Sequence, residues 1–233
     1  GDYILVNKWI MGARIFDIWE AVEDKEVEIH RLPGIRKVKR EDVLVFHYPY
    51  SVRKDSLSMD MLLYYVKRCI ALPGDTVEIR KGYYWINGTR KDRRWVRMNT
   101  GMESSWQDER QWNVALGWTV QQLGPLPVPV KGQTVMMDTM AVKMYGRLIE
   151  WEQKKPLVVH GSSIALGDSL ITHYQFKENY YFMGGDNLES SNDSRYWGLV
   201  PEPYIVGVAT RIWKSVSPHD GEVRWNRIMK KIE

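Results

Sequence analysis

The sequence predicts a mainly β fold, a β-rich core interrupted by a second, inserted α/β or β domain. Three observations predict it. Short runs rich in β-branched and aromatic residues recur along the chain, as strands do. Turn residues of defined chemistry separate them. One segment alone carries a clear helical period. The strand-rich stretches lie at 1–88 and 167–233, so these make a discontinuous core, and 89–166 is the insert.

Residues 3–6 and 43–48 are bounded by turn or charged residues and read as short strands. Residues 62–72 read the same way and stop at Pro73-Gly74-Asp75, where proline presets its own φ and glycine accepts a positive one. The strand pattern resumes at 76–80 and 83–86 around Lys81-Gly82, and Asn87-Gly88 is a tight-hairpin signal. The triplet Asn87-Gly88-Thr89 also matches a glycosylation sequon, which the hairpin makes unnecessary. Between 89 and 123 the pattern weakens, with a helix start expected near Ser104 or Ser105. Residues 124–129, Gly-Pro-Leu-Pro-Val-Pro, are expected to form an extended connector. Asp138 is placed to cap a helix over 139–153, in which Val142, Tyr145, Leu148 and Ile149 share a face. Strand character returns at 169–173, 180–183 and 204–213.

At 233 residues with 44% hydrophobic content the chain can bury an apolar core without staples. Its one cysteine, Cys69, cannot form an internal disulfide, and no Cys/His cluster has zinc spacing, so no metal or cofactor is expected. The five histidines, His30, His47, His160, His173 and His219, are scattered and read as surface or packing residues. The net charge of +4 does not extend to a phosphate-following stripe. Its best cluster, Arg90, Lys91, Arg93, Arg94 and Arg97, follows a hairpin and reads as a solvated edge, so nucleic acid is not expected as a partner. Mild basicity suits a protein lying against anionic lipid headgroups. No apolar run is long enough to span a bilayer, and the start at Gly1-Asp2 is read as that of a trimmed or processed polypeptide with any anchor upstream.

Three separated stretches combine into a resemblance. They are residues 1–8, Gly-Asp-Tyr-Ile-Leu-Val-Asn-Lys; residues 65–75, Tyr-Val-Lys-Arg-Cys-Ile-Ala-Leu-Pro-Gly-Asp; and residues 185–198, whose Gly-Asp-Asn, Asp-Ser-Arg and Tyr-Trp-Gly elements follow in order. Together they resemble the bacterial type I signal peptidases: the segment after the serine box, the lysine box, and the downstream signature. The resemblance covers the first 88 residues and roughly the last sixty. It implies a membrane-anchored serine endopeptidase with a Ser/Lys dyad, acting on the extracytoplasmic (periplasmic) side of the bacterial inner membrane. Its partners would be signal-peptide-bearing preproteins and the membrane lipid surface.

In this resemblance Lys67 is the general base, and Ser191 hydrogen-bonds its amine and aims it. A lysine serves as base only when neutral, which burial against apolar neighbours favours. Asp186 is expected to pair with Arg68, and Asp193 with Arg195, fixing the loop that carries Ser191. Strand alternation is read as setting Tyr65 and Arg68, rather than Val66, opposite Lys67. Substrate would bind as an added strand, with small residues at −1 and −3. Ile4, Val45 and Val66 are expected to line the −3 pocket, and Tyr65 with the stem of Lys67 to border the −1 pocket.

The sequence departs from the family pattern in two places. The serine box, a Ser-Met-x-Pro-Thr type segment, is expected just ahead of Gly1, so the nucleophile lies outside these 233 residues and the fragment is expected to be inactive. Ser58-Met59 resembles that box only superficially, because Asp60-Met61 follows. Leu188 stands where the family usually has arginine. Of eleven tryptophans, Trp213 and Trp225 are assigned to a membrane-facing surface. The alternative is a non-catalytic relative that binds extended peptides or membrane surface. A self-cleaving repressor fits poorly, since no DNA-binding helix pair is present.

Overall fold

The structure, a computed structural model, describes residues 1–17, 19, 27–49, 56–59, 61, 63–91, 114–161, 163–187 and 191–232. The first half holds β1 (Asp2–Asn7), β2 (Arg14–Ile15), β3 (His30–Arg31), β4 (Val43–His47), β5 (Tyr64–Ala71), β6 (Thr76–Arg80), β7 (Tyr83–Ile86) and β8 (Thr89–Arg90). The second holds β9 (Leu123–Pro127), β10 (Thr134–Met136), α1 (Thr139–Gln153), β11 (Leu157–His160), β12 (Ser163–Leu166), β13 (Ser169–Ile171) and β14 (His173–Gln175). It closes with β15 (Tyr180–Gly184), α2 (Ser194–Trp197), β16 (Val200–Pro201) and β17 (Ile205–Ser215). The fold is mainly β, built from several antiparallel sheets. The helix start expected near Ser104 lies outside the described residues.

The central sheet has six strands in the order β1-β17-β4-β5-β15-β16. Gly207 permits a close approach of β17 to β1, since a Cβ there would lie 2.7 Å from the carbonyl oxygen of Asn7. One face of the sheet carries Leu44, Phe46, Cys69 and Phe182 into the main core, joined by Val77, Ile79, Leu126 and Ile149 from the elements beyond β5. The other face carries a smaller cluster, Val45, Val206 and Ala209, with Ile4, Val6, Val43 and Ile232 packed on it.

The link from β5 to β6 is held by Asp75, which is buried. Its carboxylate accepts from the Leu72 amide at 2.7 Å, from Asn87 Nδ2 at 2.9 Å and from Arg40. These bonds fix the Pro73-Gly74-Asp75 turn and so the exit of the strand that carries Lys67. The β7–β8 turn at Asn87-Gly88 has φ of 51° and 73°, the positive pair that a two-residue hairpin needs. A second sheet, β8-β7-β6-β9, therefore joins this hairpin to a strand from the 89–166 range.

That strand, β9, corrects the connector expected at 124–129. Leu123–Pro127 pairs with β6, and it stands at the sheet's edge, where a proline lacking an N–H costs no ladder bond on the open side. The helix α1 starts and stops where the sequence places it. Asp138 Oδ1 accepts from the Ala141 amide at 2.7 Å, and Lys154 in the left-handed region ends the helix. Tyr145, Leu148 and Ile149 are buried on its inner face.

Between β1 and β4 the chain makes an excursion through the two-stranded β2–β3 pair, anchored by two arginines. Arg31 donates to the carbonyls of Gly12, Glu202 and Ile205 at 3.0, 3.2 and 2.6 Å. Arg14 donates to the Pro203 carbonyl at 3.3 Å and to His47 Nε2 at 2.8 Å. A guanidinium has no acceptor, so Nε2 of His47 must carry the lone pair.

Candidate active site

Two segments 124 residues apart meet at the centre of the sheet. Lys67 Nζ, on β5, donates to Ser191 Oγ at 2.9 Å. Lys67 is half-buried, and burial pulls its pKa below the ordinary lysine value; the Asp193 carboxylate works in the opposite direction without overcoming it. Its amine also lies 5.6 Å from the centre of the Tyr65 ring, which stacks on Tyr48.

The loop presenting Ser191 is held from below by a buried ion pair. Arg195 Nε and Nη2 donate to Asp193 Oδ1 and Oδ2 at 2.7 and 2.9 Å, and both side chains are fully buried. Burial opposes the Arg195 charge, yet Asp193 outweighs it and the net shift is upward. The same Asp193 carboxylate caps α2 at the Arg195 amide and accepts from the Gly185 amide at 2.9 Å. Arg195 Nη2 reaches the Ser191 carbonyl at 3.3 Å, and Ser194 Oγ accepts from the Met183 amide. Asp193, Ser194 and Arg195 together tie β15, the Ser191 backbone and α2 to one another. On the far side, Arg68 grips Asp186 through two bonds of 2.8 and 2.7 Å and donates to the Glu41 carbonyl.

Strand geometry divides the remaining candidates between two faces. Lys67 pairs with Leu44 and Tyr65 with Phe46, so Tyr65 shares the face of Lys67 rather than standing opposite it. The sequence expectation for Tyr65 was wrong because residues two apart on a strand point the same way. Val66 pairs with Val45 on the other face, where Ile4 packs against the Val45 cluster. Val66 is 44% exposed. The last pair between β5 and β15 is Arg68 with Gly184, so among the described residues β5 has no strand partner on that side from Tyr64 to Lys67. Leu188 lies outside the described residues.

Sequence reasoning assigned no role to Gly185. A Cβ there would fall 1.9 Å from Ser191 Oγ and 3.5 Å from Lys67 Nζ, so the hydroxyl occupies the space that any side chain would take. The Gly-Asp-Asn run was the available signal, since a glycine between a strand and a packed loop marks close approach. The buried Tyr84 hydroxyl, against Gly184, has no hydrogen-bond partner among the described residues, and burial pushes its pKa up. Among the described residues, no group of three His, Cys, Asp or Glu side chains is arranged to hold a metal ion.

The chain is similar in sequence to proteins named signal peptidase I. One from Buchnera aphidicola subsp. Schizaphis graminum is 27% identical over 237 residues, covering 95% of this chain and 65% of that protein. One from Pseudomonas aeruginosa is 28% identical over 226 residues, covering 92% of this chain and 59% of that protein. The chain thus spans a little under two thirds of the length of these relatives. A crystal structure of a signal peptidase I from Enterococcus faecalis V583 overlays with a TM-score of 0.38 at 23% identity, covering 76% of this chain and 100% of that one. So loose an overlay has no bearing on the site. The family model for signal peptidase, peptidase S26, matches residues 1–214, a span that takes in β5, the Ser191 loop and most of β17. By that match the chain belongs to the signal peptidase S26 family.

Proposed function

We propose that this chain is the catalytic portion of a membrane-anchored serine endopeptidase that removes signal peptides from exported preproteins. The nucleophilic serine comes from a segment ahead of Gly1. The observation that carries the reading is the half-buried Lys67 amine, its pKa lowered by burial, in contact with Ser191 Oγ at 2.9 Å. A neutral amine has two N–H groups and one lone pair. Donating one N–H to Ser191 aims the lone pair elsewhere, free to take the proton of an attacking serine.

In the acylation step that serine's oxygen bonds to the scissile carbonyl carbon while its proton passes to Lys67. Lys67 then returns the proton to the departing amine as the C–N bond breaks. Water, deprotonated by the same lysine, then bonds to the acyl carbon, and the lysine returns that proton to the serine oxygen as its bond to the acyl carbon breaks. Asp193, Arg195, Arg68 and Asp186 support this geometry without touching the reacting atoms.

Substrate lies along the unpartnered stretch of β5 as an added strand, its backbone supplying affinity. The −1 side chain is assigned to Tyr65 and the Lys67 stem, and the −3 side chain to Ile4, Val45 and Val66. The catalytic core comprises 1–88 and 167–233, with 89–166 as an accessory insert. Exposed Trp9, Trp213 and Trp225 suit a surface resting on lipid at the extracytoplasmic side of the membrane. No helix among the described residues is long and apolar enough to cross it.

The test restores the upstream residues and follows cleavage of a preprotein with alanine at −3 and −1. Cleavage is expected, together with a loss of about a hundredfold or more in Lys67→Ala. A restored protein that binds the preprotein without cutting it would favour a non-catalytic peptide binder. The 233-residue chain alone is expected to be inert.

A further inference from the structure

Strand β17 outruns its neighbour. It pairs with β4 through Val208, yet it continues to Ser215, with β1 along its other side. Where β4 has ended, the tail turns back and takes up the vacated edge. The Met229 amide donates to the Ile212 carbonyl at 2.7 Å, Ile212 donates to Lys230 at 3.0 Å, and Ile232 donates to Thr210 at 3.0 Å. Arg211 Nη1 holds the Met229 carbonyl at 2.9 Å. Further back, Arg224 and Arg227 both bind the Asp2 carboxylate at the start of β1. This segment is a fixed part of the sheet, and it lies beyond residues 1–214 matched by the family model.

The tail delivers one apolar side chain to a specific place. Ile232 packs on the Val45, Val206 and Ala209 cluster, beside Ile4, Val6 and Val43. Val45 is the cross-strand partner of Val66, so the same face continues to the open side of β5. The tail therefore borders the apolar floor on which the substrate's −3 side chain rests.

We infer that Ile232 is a specificity-determining residue, a side wall that limits the size of the side chain accepted at −3. The inference rests on the signal-peptidase reading above. The wall comes from outside the family match, so the strictness of the −3 position is set by this chain's own tail. Tyr65, which borders the −1 pocket, packs on the main core rather than on the cluster that Ile232 joins.

The experiment uses the full-length protein with its upstream segment, and peptides with alanine, valine or leucine at −3 and alanine at −1. A few methylenes in an apolar pocket change discrimination about tenfold. Ile232→Ala is expected to raise kcat/KM for leucine relative to alanine at −3 by about that factor, and Ile232→Trp to lower it for valine. The alanine-to-serine preference at −1 should stay constant in both. If the protein cleaves but both variants keep the original −3 ratios, or if −3 and −1 preferences drift together, this inference falls alone. If the full-length protein cleaves no preprotein, the function reading falls and takes the inference with it.

Discussion

Gly185 leaves exactly the volume that the Ser191 hydroxyl fills: a methyl group in its place would sit 1.9 Å from that oxygen. Ser191 is buried and the Gly185 amide is tied to Asp193, so neither partner has room to retreat. Gly185→Ala should push Ser191 off Lys67. A displacement of about 1 Å at a catalytic group costs about a hundredfold in rate. The check is the cleavage rate proposed for the full-length protein, measured beside its melting temperature; a rate within threefold of the parent in a folded variant would contradict the role given to this contact.

With Lys67 as the proposed general base, its amine should set the ascending limb of the pH profile. Only the neutral amine accepts a proton, and burial lowers its pKa from 10.5, so kcat/KM should rise with pH through a midpoint below that value. Stability follows with a definite sign. Between the lowered pKa and 10.5 the unfolded chain binds a proton that the folded chain does not, so folding is less favourable at the lower end of the window and improves as pH rises. Lys67→Met removes the penalty. It should be more stable than the parent at neutral pH, with the gap closing toward pH 10.5, as measured by urea denaturation across that range.

Asp193 and Arg195 are the most deeply placed charges in the site, both with fully buried side chains. Removing one partner strands the other in the core, at a cost of about 3–5 kcal/mol. Arg195→Ala and Asp193→Ala should each lower the unfolding free energy by that amount, read from urea denaturation. The double variant should lose much less than the sum. Asp193→Asn, which keeps an acceptor for the Gly185 amide, should be milder than Asp193→Ala.

Asp2 predicts acid sensitivity at the other end of β17. Hydrogen bonds from Arg227, then Ser215, hold its pKa at about 2, against 3.8 for the free group. A depressed carboxylate stabilises the fold above the unfolded pKa, and that contribution is lost as pH falls from 3.8 through about 2. Asp2→Asn should flatten this part of the acid denaturation curve. It should also speed amide exchange in residues 222–232, which the Asp2 carboxylate tethers through Arg224 and Arg227.

What was legible in the sequence was local. The helix cap at Asp138 and the Asn87-Gly88 turn are short-range chemistry, and both stand where the residues themselves place them. The proline-rich stretch misled, because whether Pro125 and Pro127 break a strand depends on which side faces a neighbour, and that is decided by sheet order. The contact between Lys67 and Ser191 spans 124 residues, so no periodicity within either segment could reveal it. It was reached through a resemblance instead. The packing of Ile232 on the Val45 cluster had no signal at all, since it depends on where β4 stops.

Cys69 stands two places along β5 from Lys67, wholly enclosed, with Sγ 3.7 Å from the Ala71 carbonyl and a pKa pushed up by burial. Thiolate is the reactive form, so maleimide and disulfide reagents find no native target in these 233 residues. A thiol introduced at Trp213 or Tyr64, both open to solvent, would be the one labelled position. The molecule is thus ready for single-site fluorophores that report, by quenching or anisotropy, whether a peptide settles beside β5 as proposed.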